Sequence, residues 1–216
     1  MNKKSALIIE GGWKGHEPKE AAQLFAEALE SKGFAVEIAS DLAVFDDVNL
    51  LRRQSLIIPC WTMGNLTETQ AKNLSSTIQS GIGLGGFHGG MGDAFRGCHD
   101  YEWMVGGHFV GHPFVGEYIV RLTEQNHTIT SELPKEFSYN SEQYYMLMDP
   151  GNTVLAETTY LYENHPCSMP VIWIKSWGSG RVFYSALGHK VVEFSTYPKV
   201  KEMTIRGLLW AAKESE

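Results

Sequence analysis

Gly85-Gly86-Phe87-His88-Gly89-Gly90-Met91-Gly92-Asp93 holds five glycines in nine residues, with a histidine at its centre. It follows directly on the apolar run Ile82-Gly83-Leu84. Read as G-x-H-x-G, it has the layout of a nucleophile elbow, a strand-to-helix turn so sharp that only glycine leaves room around it. Such a turn belongs at the carboxyl end of a strand in an α/β sheet, where ligands bind. Its apex is ordinarily Ser or Cys, and here it is His88. The framework of a hydrolytic site is present and its usual nucleophile is not.

Upstream of the elbow, strand and helix signals alternate. Residues 6–9 form a short buried-strand run. Pro18 suits the first turn of a helix, Ala21, Leu24, Phe25, Ala28 and Leu29 follow at helical spacing, and Gly33 stands where a C-terminal cap belongs. Residues 34–38 and 56–58 are a second and third strand. Thr67 and Gln70 predict a capping box, with Ala71, Leu74 and Ile78 on one face and Gly81 as the stop. Residues 82–87 are the strand entering the elbow. After about residue 113 the texture changes. Residues 115–123, 153–160, 171–175 and 181–185 read as strands, and Trp177-Gly178-Ser179-Gly180 as a hairpin turn. Pro198 opens a last helix that buries Met203, Ile205, Leu208, Leu209 and Ala212. The expectation is one α/β domain over residues 1–216, with a mostly parallel central sheet, helices on both faces and an antiparallel extension.

Composition narrows the function classes. A chain of 216 residues can bury a sizeable core. Its 43% hydrophobic and 20% charged residues are those of a soluble globular protein. A net charge of -7 without a basic patch argues against nucleic-acid binding. No apolar run approaches the roughly 20 residues that span a bilayer. The opening Met1-Asn2-Lys3-Lys4 leads into the first strand rather than forming a signal peptide. Cys60, Cys98 and Cys167 are odd in number and lack paired spacing, which fits small buried residues in a reducing cytoplasm.

Further motifs run in order along nearly the whole chain. They are the elbow itself, Asp100-Tyr101, Gly106-Gly107-His108-Phe109-Val110-Gly111-His112-Pro113, Glu142-Gln143-Tyr144-Tyr145, Gly178-Ser179-Gly180-Arg181, Leu187-Gly188-His189 and Arg206-Gly207-Leu208-Leu209-Trp210. In this ordered set the chain resembles the trehalose-utilisation ThuA-like family. The resemblance implies a flavodoxin-like three-layer sandwich related to class I glutamine amidotransferases. It also implies disaccharide catabolism beside a sugar dehydrogenase, on a carbohydrate or keto-sugar. His88 then takes the place of the amidotransferase cysteine, and His189 falls where the triad histidine would stand. Imidazole does not replace a thiolate as acyl acceptor, so glutaminase activity is not expected.

The candidate catalytic residues are His88, His189 and Glu142. His88 at the apex can serve as general base, hydrogen-bond donor or metal ligand, or can simply hold the turn. Gly11-Gly12-Trp13-Lys14-Gly15-His16-Glu17-Pro18 follows the first strand and borders the expected crevice. There His16 and Glu17 can bind a polar ligand or stay solvated, and the glycines do not form a dinucleotide fingerprint. His108 and His112 stand four apart, but the glycines and proline around them make a helix improbable. A loop site for a divalent metal such as zinc, from His16, His88, His112 and His189, stays open, although no dedicated ligand spacing is present. Glu142 and Tyr144, with Trp61, Trp103 and Trp13, can line a sugar site, the aromatic faces stacking on pyranose rings. Core packing is the alternative for these aromatics. No carboxylate pair is placed for ordinary glycoside hydrolysis. A homo-oligomer is left open.

Overall fold

The computed structural model describes residues 4–123 and 127–214, so the lead-in Met1-Asn2-Lys3 lies outside it. Its strands are β1 (Ser5–Gly12), β2 (Ala35–Ala39), β3 (Leu56–Thr62), β4 (Gly83–Phe87), β5 (Gly107–Leu122), β6 (Glu136–Met148), β7 (Thr153–Tyr162), β8 (His165–Trp177) and β9 (Gly180–Ser185). Its helices are α1 (Pro18–Ser31), α2 (Val48–Arg52), α3 (Glu68–Gln79), α4 (His88–Gly92), α5 (His99–Val105), α6 (Val191–Thr196) and α7 (Pro198–Ala211). None of the helices described is long and apolar enough to cross a membrane.

Local chemistry accounts for the first half. Ala6, Leu7, Ile8 and Ile9 are all fully buried, as a strand covered on both faces requires. Pro18 opens α1, whose buried stripe is Ala21, Ala22, Phe25, Ala26 and Leu29. The capping box forms: Gln70 N–H donates to Thr67 Oγ1 at 3.2 Å, and Thr67 N–H to Gln70 Oε1 at 3.0 Å. α1, α6 and α7 pack on one another, and α3 packs against both α2 and α5.

All nine strands form one sheet, ordered β2-β1-β3-β4-β9-β8-β7-β5-β6. The first five are parallel, and the four pairings from β9 to β6 are antiparallel. The sheet is therefore evenly mixed rather than mostly parallel. The antiparallel part is larger than the sequence suggests, for three reasons. β5 starts at Gly107 rather than 115, because register shifts between Phe109 and Gly111 and between Gly111 and Phe114 absorb the glycines and Pro113. β6 is a 13-residue strand where the sequence shows only a polar-aromatic segment around Glu142. β8 begins six residues before the expected 171, through Pro166 and Pro170. In α7, Met203, Leu208 and Ala211 are buried, while Ile205 and Leu209 are only half-buried.

Candidate functional site

The carboxyl ends of the parallel strands converge on one place. β1 passes into a short 3-10 turn, Lys14–His16, which carries His16. β3 ends at Thr62, β4 turns into α4 at His88, and β9 runs on through Ala186 and Leu187 to His189. β6 crosses this edge with Glu142 and Tyr144, two residues apart and hence on one face.

His88 has φ 45°, in the left-handed region that a side chain with a Cβ rarely adopts. This is the conformation of an elbow apex, and it turns the ring inward to 2% exposure. Gly89 is required beside it: a Cβ there would lie 2.2 Å from His16 Cε1.

The three imidazoles form a near-equilateral triangle. Ring centroids are 4.9 Å apart for His16 and His88, 5.1 Å for His16 and His189, and 5.1 Å for His88 and His189. Glu142 Oε2 lies 3.7 Å from His88 Nε2 and 3.3 Å from His189 Nδ1. One donor atom from each of His16, His88, Glu142 and His189 lies within 4.8 Å of the other three. Metal–nitrogen and metal–oxygen bonds of about 2.0–2.2 Å place tetrahedral donors about 3.3–3.6 Å apart, so small side-chain adjustments close this set on one ion.

Neighbouring groups fix the ring orientations. His16 Nδ1 is 2.7 Å from Thr62 Oγ1, and His88 Nδ1 is 2.9 Å from the Tyr144 hydroxyl. Both contacts leave Nε2 free. Buried His88 Nε2 has no hydrogen-bond partner, and neither has His189 Nδ1, whose approach to Glu142 is close but off a hydrogen-bond axis. A buried donor or acceptor left without a partner is costly, so two of them facing one space point to a ligand there.

Electrostatics keep the His16 and His88 rings unprotonated. Burial, reinforced by His189, lowers the His16 pKa to about 4. Burial and the neighbouring imidazoles hold His88 well below the ordinary histidine value. Burial pushes the Glu142 carboxyl up, but His189, His112 and His16 outweigh it and leave it below the usual carboxylate value. Neutral His16 and His88 beside an ionised Glu142 are the protonation states a divalent cation needs.

The other sequence candidates lie at or beyond the rim. His112, 43% exposed, has Nε2 3.7 Å from Glu142 Oε1 and is outside the converging set. Tyr144 backs His88. Glu17 is a tie, its Oε2 accepting from Val191 N–H at 2.9 Å. Trp61 packs against Gly11 and Gly64. His108 is 3.7 Å from Glu102 Oε2, apart from the cluster, and Trp103 is exposed with its indole N–H on Asp149. Trp13, half-exposed, stands edge-on to His16 at 4.7 Å. Sequence reasoning did not find Thr62, because the third strand was read as ending at residue 58. Cys60 is buried and its thiol is pushed up to about 12 by burial.

Fold and site together define an α/β protein with a histidine–carboxylate cluster at the carboxyl edge of its parallel strands. The ThuA family, described as trehalose utilisation, matches residues 5–211, and the chain belongs to that family. A ThuA-like protein of Bacteroides uniformis superposes with a TM-score of 0.79 at 20% identity, over 96% of this chain and 91% of that one. A ThuA-like protein of Parabacteroides merdae gives 0.76 at 17%, over 98% and 90%. A β-galactosidase of Bacillus circulans gives 0.58 at 13%, over 98% of this chain and 31% of that chain. At these identities the likeness concerns the fold. No curated protein matches the chain.

Proposed function

We propose that this protein binds a divalent metal ion, zinc by its donor set, between His16, His88, His189 and Glu142, and uses it to hold and process a sugar or keto-sugar. The convergence of three imidazoles and one carboxylate, with two buried nitrogens left unpartnered, carries the reading. Nδ1–H of His16 would donate to Thr62 and that of His88 to Tyr144, leaving both Nε2 lone pairs for the ion. A metal in such a site polarises a carbonyl or lowers the pKa of a bound water. Half-exposed His112 and Trp13 adjoin the cluster, one to exchange protons and the other to stack on a pyranose ring.

Trehalose utilisation, as the family is described, supports a sugar substrate, supplied in keto form by a dehydrogenase. The strand order β2-β1-β3-β4-β9 supports a flavodoxin-like, amidotransferase-related scaffold. Histidine at the apex and the buried Cys60 support the absence of cysteine-dependent glutaminase activity. Three unpaired cysteines support a cytoplasmic setting.

One observation favours a second reading, a non-catalytic regulatory module on a degenerate amidotransferase scaffold. The cavity beside His16 and His88 has a volume of about 10 Å³, too small for a sugar ring, and two larger cavities, about 450 and 470 Å³, have other linings.

Thermal unfolding tests the metal. Zinc at a hundred times its dissociation constant contributes about 2.7 kcal/mol, a rise of about 5–10 °C for a chain of this size. We expect that rise in the native protein and none in His88→Ala. The same screen with mono-, di- and keto-sugars on the zinc form separates the readings: a sugar-processing protein is stabilised by its substrate, and a regulatory module that holds no sugar is not. No shift with any divalent metal contradicts the proposal.

A further inference from the structure

Glu193, the third residue of α6, is a buried carboxylate that faces no cation at hydrogen-bond distance among the described residues. Its oxygens are used entirely on neutral donors. Oε2 accepts from the Tyr139 hydroxyl at 2.6 Å and from the His189 backbone N–H at 3.1 Å. Oε1 accepts from the Ser141 hydroxyl at 2.9 Å. The Tyr139 oxygen in turn accepts from Gly188 N–H at 3.1 Å. Burial and the adjacent Glu193 carboxylate raise the Tyr139 pKa, so its proton stays in the bond.

These partners come from the two segments that must meet for the cluster to exist. Tyr139 and Ser141 lie on β6, immediately before Glu142. Gly188 and His189 lie on the loop after β9. β6 and β9 are not neighbours in the sheet, where β8, β7 and β5 separate them. Sheet pairing alone therefore does not set the distance from Glu142 to His189. Gly188 makes the loop's approach possible: its φ is 97°, and a Cβ there would lie 2.3 Å from Phe194 Cζ.

We infer that Glu193 is a positioning residue, a clamp that fixes the His189 loop on β6 and so sets the separation of two of the four donors. The inference rests on the metal-binding reading for its functional consequence and on the hydrogen bonds for its structural one. A buried charge is expensive unless fully hydrogen-bonded, and removing the carboxylate leaves three donors, Tyr139 and Ser141 hydroxyls and His189 N–H, without their acceptor.

Two measurements test it, on the full-length protein and on Glu193→Ala, Glu193→Gln and Tyr139→Phe. The first is zinc affinity, by competition with a chromophoric chelator. Outer partners of metal ligands typically alter affinity by about 10- to 100-fold. We expect Glu193→Ala to bind zinc that much more weakly, and Glu193→Gln, which keeps one acceptor oxygen, to fall between it and the native protein. The second is amide hydrogen exchange without metal. Gly188 and His189 should exchange at least about tenfold faster in Glu193→Ala, while β1 and β3 keep their protection. Tyr139→Phe removes one hydroxyl and should show the same pattern at Gly188 if Glu193→Ala does not fold. Zinc affinity within twofold of native in a folded variant, or unchanged exchange at Gly188 and His189, overturns the clamp. If the native protein binds no zinc, the metal-binding reading falls and exchange alone decides the clamp.

Discussion

His88 and His16 carry the chemistry of the site in their protonation. Both have folded-state pKa values below the ordinary 6.5, His16 at about 4. Between about pH 4 and 6.5 the unfolded chain takes up protons that the folded one refuses. Stability of the metal-free protein is therefore full above about pH 6.5 and is lost as pH falls towards 4. With chelator present, Tm at pH 5 should lie below Tm at pH 7.5, and His16→Gln should reduce that difference. An equal or higher Tm at pH 5 would mean that these rings charge freely. Cys60 makes the opposite point about reactivity. Its thiol is 3% exposed and pushed up to about 12, so it should resist iodoacetamide at pH 8 while unfolded protein reacts at all three cysteines. Rapid alkylation of Cys60 in the folded state would reopen thiol chemistry. The importance of His88 was legible in the sequence from its five flanking glycines. The partnership of His16 with Thr62 was not, because a turn and a strand end 46 residues apart give no local sign of meeting.

At the level of elements, the turn from β4 into α4 depends on glycine for a reason the site supplies. Gly89→Ala places a methyl 2.2 Å from His16 Cε1 and 2.5 Å from its Nδ1. The ring is a mobile side chain, so it should move rather than break the fold. We expect unchanged far-UV circular dichroism and at least a tenfold loss of zinc affinity, and retained affinity would show that His16 is not a ligand. The same packing explains what could be read in advance. β1, β3 and α1 announce themselves by runs and stripes of apolar residues. β6 does not: its buried positions include Ser141 and Gln143, which satisfy themselves by hydrogen bonds, so the apolar alternation of a half-buried strand is missing. β5 is hidden by Gly111 and Pro113, which normally interrupt strands but here sit at bulges.

For the whole molecule, β9 joins the two halves of the sheet, parallel to β4 on one side and antiparallel to β8 on the other. Apolar residues of both halves belong to one core, from Leu7 and Phe25 to Trp173 and Tyr184. Unfolding by urea should therefore be a single transition, coincident by tryptophan fluorescence and far-UV circular dichroism, and separate midpoints would divide the chain into two units. The architecture also explains why the site forms where it does. Four donors come from three segments that follow the parallel strands β1, β4 and β9 and from one strand of the antiparallel part, so neither half holds the cluster alone. Sequence reading recovered the first half's strand-helix alternation. It could not foresee that β6 would return across the crevice, which is a matter of topology rather than of local pattern.

Binding of Co2+ to the metal-free protein, followed by its visible d–d absorption, tests most directly whether these four side chains meet on one ion. We expect saturation at one ion per chain, with displacement by zinc and loss of the band in both His88→Ala and Glu142→Ala. No band in the native protein, or a band that survives both substitutions, would contradict a metal centre at this cluster.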